Sequence, residues 1–260
     1  MPRSIWKGSI SFGLVNIPIK VYPAAQSKQL SFHTLCKEGH PLEYKRWCPV
    51  ERREVKWDEV KKGYKIGDKY IILEKEDLKK IELKTTKTID IVEFVDAPQI
   101  DPIYIEKSYY VVPEETGVKA YSLFVEALSL QNKIAIGKVV MREKEYLVAL
   151  RAYKKGLVMH VLHYLGEIKP IEELEELKNV VVVKGEELKL AQVLIEKLTE
   201  EKFDIGKFTD TYTEALKKLI KTKAEGKVFK IEERPVEEAK SLMEALKISV
   251  ETVERKKKKS

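Results

Sequence analysis

The segment SIWKGSISFGLVNIPIKVYPA, residues 4–24, decides how the chain begins to fold. Its apolar residues fall into two sets of opposite parity: Ile10, Phe12 and Leu14, then Val15, Ile17, Ile19 and Val21. Successive side chains on a β-strand point to opposite faces, so one flat strand would turn its apolar face over between the two sets. Gly13 stands at the change and predicts a bulge or a barrel corner. Pro18, which has no N–H group, is then expected at an edge or at a gap in the ladder.

The composition is typical of a soluble globular protein with a sizeable core, since 43% of the 260 residues are hydrophobic and 35% are charged. No apolar run approaches the roughly 20 residues of a membrane span, and the first residues lack the features of a secretory signal. The two cysteines, Cys36 and Cys48, are too few for a disulfide framework, which favours a reducing compartment. We therefore expect a cytoplasmic protein that has no membrane partner.

The net charge of +7 is distributed in blocks along the chain. Residues 1–57, 131–165 and 205–260 carry a basic excess, whereas residues 58–130 and 166–204 carry an acidic excess. Basic blocks on β-patterned sequence predict a positive surface built on a sheet, which suits a polyanionic partner. The alternative is a lysine- and glutamate-rich surface that serves only solvation.

The middle of the chain is predicted to contain strands interrupted by two helices. Strands are expected at residues 69–73, 88–95 and 107–112, and helices at residues 74–83 and 120–130. Three further β-runs, residues 133–143, 145–155 and 157–165, are joined through Glu143-Lys144 and Lys155-Gly156. Connections this short predict an antiparallel meander.

Beyond Gly166 the sequence becomes helical. One apolar helix face contains Ala191, Leu194, Ile195 and Leu198, and a second contains Tyr212, Ala215, Leu216, Leu219 and Ile220. Thr211 and Glu214 have the spacing of a capping box, with the cap at Thr211 or a residue or two earlier, and Gly226 is expected to end that helix.

The last segment, after Pro235, has a heptad-like apolar seam. The seam consists of Val236, Ala239, Met243, Leu246, Val250 and Val253. It predicts either a terminal helix docked on its own domain or a helix that binds a partner. The tail RKKKK, residues 255–259, is too polar to pack, so it is either a disordered end or a non-specific phosphate binder.

Two groups of residues invite a metal-site interpretation. His160 and His163 are three residues apart on a predicted strand, so they point to opposite faces and cannot converge on one ion. Cys36, His40, Cys48 and Glu51 are spaced like a zinc ribbon, but glutamate is a poor fourth ligand. We therefore predict neither a metal site nor a cofactor. Common phosphate-loop, dinucleotide-binding and nucleophile-elbow motifs do not occur in the sequence.

Several ordered blocks of the sequence resemble the prokaryotic Ku family. The blocks are IWKGSISFGLVNIPIKVY, FHTL, YKRWCP, VKKGYKIGDKYIILEKEDL, IVEFVDAPQIDPIYIEKSYYVVPEETGVKAYSLFVEAL, KIAIGKVVMREKEYLVALR and DTYTEALKKLIKTKAEG. They span about residues 3–227 in the same order as in the family. The resemblance implies an α+β fold: a β-barrel core with an inserted bridge and helices, followed by a C-terminal helical arm.

The resemblance also implies a domain organisation and a function. Residues 1–170 would form the barrel and bridge core, residues 171–230 a helical arm that embraces the partner subunit, and residues 231–260 a C-terminal helix and basic tail that bind a ligase. Two copies would form a ring around double-stranded DNA ends in non-homologous end joining and recruit an ATP-dependent DNA ligase. Members of the family have no catalytic activity of their own. The expected location is the cytoplasm, in association with the nucleoid.

Basic residues in the bridge and on the barrel are the candidate DNA contacts. A ring that accepts any broken end needs phosphate contacts, which carry no sequence information. The candidates are Arg3, Lys7, Lys37, Lys45, Arg46, Arg52, Arg53, Lys138, Arg142, Arg151 and Lys154. Lys138 and Arg142 are expected to share one strand face, and Arg151 and Tyr153 another. Tyr44, Trp47 and Trp57 are expected to act as packing platforms rather than as base stackers, since the bases of a duplex are already stacked.

Two departures from the family pattern and two alternative functions remain open. Many relatives carry Cys-x2-Cys where this chain has Cys48-Pro-Val-Glu51, and the sequence beyond Gly226 matches the family loosely. One alternative is a metal-dependent nuclease that draws ligands from the acidic segments 58–77 or 166–187. The other is a protein-binding scaffold that acts through the helix predicted at 236–253.

Overall fold

The computed structural model describes residues 3–26, 28–74, 76–77, 87–141, 144–181, 185–227 and 242–257. Contacts within the chain divide it into two compact units, Met1–Pro170 and Ile171–Ser260. The strands are β1 (Trp6–Phe12), β2 (Val15–Pro23), β3 (Trp47–Cys48), β4 (Arg53–Glu54), β5 (Lys62–Ile66), β6 (Lys69–Leu73), β7 (Thr88–Asp96), β8 (Ile105–Pro113), β9 (Lys133–Met141), β10 (Lys144–Tyr153) and β11 (Gly156–Leu162). The helices are α1 (Val118–Gln131), α2 (Glu186–Leu198), α3 (Thr211–Ala224) and α4 (Leu242–Lys257).

The first unit is built around a closed barrel with the strand order β1-β2-β8-β11-β10-β9-β7. Neighbouring strands are antiparallel except for β1 and β7, whose parallel pairing closes the barrel. Closure removes the free edges at which an open sheet can pair with other chains. The α+β class with a β-barrel core is thus confirmed.

The opening segment forms a β-hairpin, so the prediction of a bulge or barrel corner at Gly13 was wrong. Strands β1 and β2 are joined by Gly13-Leu14, and Gly13 has a φ of +59°. A two-residue hairpin turn requires this left-handed backbone, which glycine adopts without strain. The apolar residues change parity because the chain reverses direction at a two-residue turn. A bulge would produce the same change of parity, so the sequence pattern alone does not distinguish the two.

Pro18 lies at the gap in the ladder that the sequence predicts. Pairing of β2 with β8 begins at Ile19, one residue further on. The Glu114 N–H donates to the Pro18 carbonyl oxygen at 2.9 Å. The N–H and C=O groups of one strand residue point to the same side, so an N–H at this position would have pointed toward Glu114. Glu114 lies just outside the ladder, and the absence of the N–H therefore removes no ladder hydrogen bond.

The barrel interior is a continuous apolar core. Its fully buried residues include Ile10, Ile17, Ile19, Val21, Ile89, Val111, Val148, Leu150, Leu157 and Met159. Helix α1 covers one end, where the ring of Phe124 stacks on Phe12 with centroids 4.9 Å apart. The Tyr121 hydroxyl donates to the Val111 carbonyl at 2.6 Å and accepts from the Leu157 N–H at 2.8 Å. These bonds satisfy the buried hydroxyl and tie the helix to two strands.

A second apolar cluster lies on the outer surface of β9 and β10. Ile134, Ile136, Ala149 and Leu162 pack there with Val95, Ile100, Tyr104 and Leu147. Strand β9 therefore buries both of its faces, which explains the unbroken apolar run at its start. At the end of the barrel opposite α1, a cavity of about 160 Å³ is lined in part by Trp6, Tyr109, Met141 and Tyr146.

The predicted strands and the helix predicted at 120–130 are present with small shifts. Strands β6, β7, β8 and helix α1 match their expected segments, and β9, β10 and β11 form the expected antiparallel meander. Lys144 and Gly156 already belong to strands, so the second connection is Lys154-Lys155, one residue earlier than predicted. The helix predicted at 74–83 and the first connection of the meander fall largely or wholly outside the described residues.

The second unit contains α2, α3 and α4. Asp210 caps α3 by accepting the Thr213 N–H at 2.9 Å, one residue before Thr211. Gly226 follows the end of α3 with a φ of +71°, as expected. Helix α4 packs against α2, so the described part of the heptad-like seam docks within its own unit. Val236 and Ala239 lie outside the described residues.

Two short hairpins precede the barrel strand β7 in the sequence. Strand β3 pairs with β4, and β5 pairs with β6, in separate two-stranded sheets. Among the described residues, none of the helices is both long and apolar enough to cross a lipid bilayer.

We predict that Gly8→Ala destabilises the barrel by about 1–3 kcal/mol, as overpacking does. A Cβ atom at Gly8 would collide with the Lys87 carbonyl oxygen and the Trp6 indole ring, at the point where β7 joins β1. Urea unfolding measures the change. Gly166→Ala is the matched control, since no atom would lie within 4 Å of its Cβ. Equal stability of the two variants would contradict this account of the β1–β7 junction.

Candidate nucleic-acid interface

An aromatic and basic surface lies on the outer side of four adjacent barrel strands. Tyr22 pairs with Tyr110, Tyr110 with Val158, and Val158 with Arg151, so one rung crosses β2, β8, β11 and β10. The neighbouring residues Val21, Val111, Leu157 and Leu150 are buried in the barrel. Because side chains alternate along a strand, the rung faces outward. We call the outward side chains Tyr22, Tyr110, Arg151 and Tyr153 the tyrosine–arginine face.

Arg151 lies beside the aromatic rings of this face. Its guanidinium carbon lies 5.3 Å from the centroid of the Tyr153 ring. The Tyr153 ring in turn stacks on Tyr110, with centroids 6.3 Å apart and an interplanar angle of 19°. Lys154 places its ammonium 5.5 Å from the same Tyr153 ring. The expectation that Arg151 and Tyr153 share a face is confirmed.

A hydrogen-bonded chain supports Arg151 from the next rung. The Arg151 Nε–H donates to His160 Nε2 at 3.1 Å, and His160 Nδ1 lies 2.8 Å from Ser108 Oγ. Because Arg151 Nε is only a donor, Nε2 is the acceptor and the proton of the neutral imidazole is on Nδ1. Burial, and secondarily the positive charge of Arg151, lowers the pKa of His160. The imidazole is therefore neutral at neutral pH.

The other candidate lysines on the barrel have different electrostatic surroundings. Lys7 is exposed on β1 and lies opposite Lys20, which is 3.7 Å from a Glu114 carboxylate oxygen. Lys138 lies 3.1 Å from Glu145 and opposite Asp90. The outer surface around Lys138, where two carboxylates face one ammonium, is therefore negative on balance, and that around Lys7 is positive.

The segment from residue 33 to residue 57 carries more candidates, but several are already engaged. Arg53 donates to Glu51 at 2.6 Å and to Glu59 at 2.7 Å. Lys45 pairs with Glu54 at 3.5 Å. These pairs are exposed, and an exposed pair contributes little to stability but lowers the net positive charge offered to a ligand.

Arg46 is engaged by an aromatic ring instead. Its guanidinium carbon lies 4.0 Å from the centroid of the Trp57 ring. A cation–π contact leaves the positive charge and the donor groups of arginine in place. Trp57 therefore acts as a platform for the Arg46 cation. The packing role expected for the aromatic residues of this segment stays a prediction, since Tyr44, Trp47 and Trp57 are all exposed.

The remaining candidates are Arg3, Lys37, Arg52 and Lys154, and all four are exposed. Arg52 and Lys154 occupy left-handed turn positions with φ of +51° and +53°. Within the described ranges none of the four pairs with a carboxylate. Arg142 lies outside the described residues.

The candidate metal ligands do not assemble into a site. Cys36 Sγ accepts the His40 N–H at 3.3 Å and lies 3.7 Å from His40 Nδ1, as in half of a zinc ribbon. Over the part of the chain that the structure describes, His, Cys, Asp and Glu do not form a group of three or more that could hold an ion. His163 lies beyond β11 and approaches Glu167 at 3.4 Å, away from His160.

The acidic segments considered for a nuclease show pairing between opposite charges. Glu59 contacts Arg53, Glu74 contacts Lys61 at 2.6 Å, and Glu167 lies 3.6 Å from Lys144. These carboxylates are engaged by cations of the same unit.

Sequence reasoning missed Tyr22, Tyr110, Ser108 and His160 as members of the interface. Parity would have placed Tyr22 and Tyr110 on the outside of their strands, since Tyr22 directly follows the buried Val21 and Tyr110 directly precedes the buried Val111. Their position beside Arg151 depends on the pairing of β2 with β8 and of β8 with β11, which is not a local property of the sequence.

The barrel and its outer face define the class of protein. The family model for the Ku70/Ku80 β-barrel domain matches residues 11–210 of the chain. A closed barrel of this type, with a helix across one end, is therefore a Ku-type β-barrel.

Relatives along the whole chain identify the family. The chain is 44% identical over 253 residues to the "Non-homologous end joining protein Ku" of Archaeoglobus fulgidus, with 96% of this chain and 99% of the relative covered. Proteins of the same name from Heliobacterium modesticaldum and Bacillus subtilis are 41% and 38% identical; the matches cover 99% and 97% of this chain and 94% and 83% of the relatives. The chain belongs to the Ku family of non-homologous end joining proteins.

We predict that Arg53→Met raises the pKa of the Glu59 carboxyl toward its ordinary value. The hydrogen bond from Arg53 is the largest cause that lowers the pKa of Glu59 in the folded chain. Carbon-detected NMR titration of the glutamate side chains measures the shift. Arg52→Met, the adjacent control, leaves the Glu59 pKa unchanged. A shift of equal size in both variants would contradict the conclusion that the hydrogen bond from Arg53 lowers the Glu59 pKa.

Proposed function

We propose that this protein binds the ends of double-stranded DNA as a homodimer, without regard to sequence, and recruits an ATP-dependent ligase to them. The tyrosine–arginine face is the observation that carries the proposal. It offers positive charge and hydroxyl groups on a rigid barrel surface. The relatives that share the whole chain are named for non-homologous end joining, which requires a protein that works on DNA breaks.

The chemistry of the tyrosine–arginine face suits a phosphate backbone. Across β2, β8, β11 and β10, the rungs through Tyr22 and Arg151 and through Ser108 and His160 contain no carboxylate. A guanidinium donates to phosphate oxygens in a planar fork, and a tyrosine hydroxyl donates to phosphate as well. Contacts of this kind position a duplex without reading its sequence.

The segment from residue 33 to residue 57, which we assign to the bridge, adds basic residues that differ in how free they are to bind phosphate. Arg52, Lys37 and Arg46 keep their positive charge available, so we assign them to phosphate contacts. Arg53 and Lys45 are paired with carboxylates and must exchange partners before they can bind DNA. We therefore assign Arg53 a structural role, as a clamp that fixes the loop between Glu51 and Glu59.

The homodimer is supported by apolar side chains that the second unit leaves exposed. Ile195, Phe203, Ile205, Phe208 and Tyr212 have between 67% and 75% of their surface accessible. Apolar exposure of this extent is typical of a surface that a partner covers. We assign residues 171–230 to an arm that packs against the second copy, so that the two barrels with their bridges enclose the duplex in a ring.

The C-terminal segment is assigned to the ligase partner. Residues 231–260 include α4 and the basic tail, and most of the acidic and basic residues of α4 are exposed. On this proposal the protein has no catalytic step of its own, and it acts in the cytoplasm at the nucleoid.

The ring predicts a preference for DNA that has ends. In competition binding, linear duplex displaces a labelled fragment far better than covalently closed circular duplex of the same sequence, because a closed ring can load only at an end. The labelled DNA stays intact when Mg²⁺ or Mn²⁺ is added. Equal competition by the two forms overturns the ring, and cleavage overturns the non-catalytic role.

The arm predicts that Phe208→Glu weakens the dimer by about tenfold or more, since burial of a phenylalanine contributes roughly 1.5–3 kcal/mol. Sedimentation equilibrium measures the dissociation constant. Gln192→Glu adds the same charge at an exposed polar position and serves as the control. A wild-type chain that sediments as a monomer at micromolar concentration, or a Phe208→Glu variant that dimerises like wild type, overturns the assignment of the arm.

A further inference from the structure

Arg151 and Arg53 are both held by neighbouring side chains, but their partners differ in kind. Arg53 is bound by two carboxylates, which neutralise its charge. Arg151 is bound at Nε by a neutral imidazole, at 3.1 Å. Neither Nη group of Arg151 donates to another group among the residues that the structure describes. The contact therefore fixes the orientation of the guanidinium and leaves both its charge and its outer donors free.

We propose that His160 is a positioning residue for Arg151, which it orients toward a DNA phosphate and releases when the imidazole is protonated. The inference rests on the proposed function, because the ligand of Arg151 is the phosphate backbone. The neutral tautomer is required: Nδ1–H donates to Ser108 Oγ at 2.8 Å, and Nε2 accepts from Arg151. The protonated ring has no acceptor, and its charge repels the guanidinium.

The surroundings of His160 make Arg151 the group that responds to this protonation. From β10, Arg151 and Ala149 face His160; from β8, Ser108 faces it and Tyr110 is the next outward residue. On β11 its outward neighbours are Val158 and Leu162. Glu106, two residues before Ser108, is engaged by Lys107 at 2.8 Å. No carboxylate of the described residues contacts the imidazole to compensate its charge.

The sign of the pH dependence is opposite to that of a simple basic surface. A pKa below the ordinary histidine value keeps His160 neutral until the pH falls below that value. Acidification protonates exposed histidines and would strengthen binding to a polyanion. Protonation of His160 instead removes the support of Arg151, so part of the affinity is lost.

Two substitutions at His160 separate positioning from packing. His160→Gln preserves an acceptor for Arg151 and a donor for Ser108 but does not titrate. His160→Leu keeps the bulk of the side chain and removes both groups. His163→Gln is the matched control, since His163 is also half-buried but contacts Glu167 instead of Arg151.

The test measures the affinity for a short blunt duplex at constant ionic strength from about pH 8 down to about pH 5, the range in which histidine titrates. At pH 8 we expect His160→Gln to bind like wild type and His160→Leu to bind about three- to tenfold more weakly, as for the loss of one hydrogen bond. At low pH the wild type and His163→Gln lose affinity relative to His160→Gln. In an Arg151→Gln background, His160→Leu has no further effect.

Equal binding by His160→Leu and wild type at pH 8, or the same pH profile for wild type and His160→Gln, overturns the inference while the proposed function stands. A wild-type chain that binds no duplex overturns the proposed function. The contact between His160 and Arg151 can also be tested without DNA. In NMR, we expect the Arg151 Nε–H resonance of the wild type to shift as His160 titrates, and an unchanged resonance overturns the inference.

Discussion

The parallel pairing of β1 with β7 is the constraint on which the rest of the first unit depends. It converts a curved sheet into a closed barrel, and the closed barrel provides an interior that excludes water and an exterior with fixed side-chain positions. Gly8 lies at this junction because the Lys87 carbonyl and the Trp6 ring occupy the space of a side chain. The same closure brings strands that are distant in the sequence next to each other on the outside. The tyrosine–arginine face is a product of this closure rather than of any local motif.

Charge alone is a poor guide to which basic residues serve a ligand. Arg53 and Arg151 both lie on β-strands, β4 and β10, yet carboxylates hold the first and a neutral histidine holds the second. Lys45 and Lys138 are likewise compensated by Glu54 and Glu145. The positive charge that a ligand can use is therefore found at a few positions, where aromatic rings or an imidazole orient the cation without neutralising it.

Local patterns predicted most elements of the barrel because the relevant signals are local. Alternation in residues 145–155 and the amphipathic spacing of residues 120–130 each report one strand or helix and its buried side. Gly13 was misread because a hairpin and a bulge both reverse the parity of the apolar residues. The candidate site was predictable only for Arg151 and Tyr153, which share a strand. The pairing of Lys138 with Glu145 or of Arg53 with Glu59 depends on how loops and neighbouring strands meet, and the sequence pattern carries no signal of this.

The strand order has a consequence for synthesis on the ribosome. The first hairpin emerges early, but its neighbours in the barrel, β7 and β8, follow only after residues 24–87, and β9 to β11 follow later still. Until then Ile10, Ile17 and Val21 have no core to enter, and both outer edges of the hairpin stay unpaired. Contacts of long sequence separation also form slowly. Until these strands have been made, the nascent chain therefore carries an N-terminal hairpin with an uncovered apolar face and two unpaired edges, which is a surface that favours aggregation.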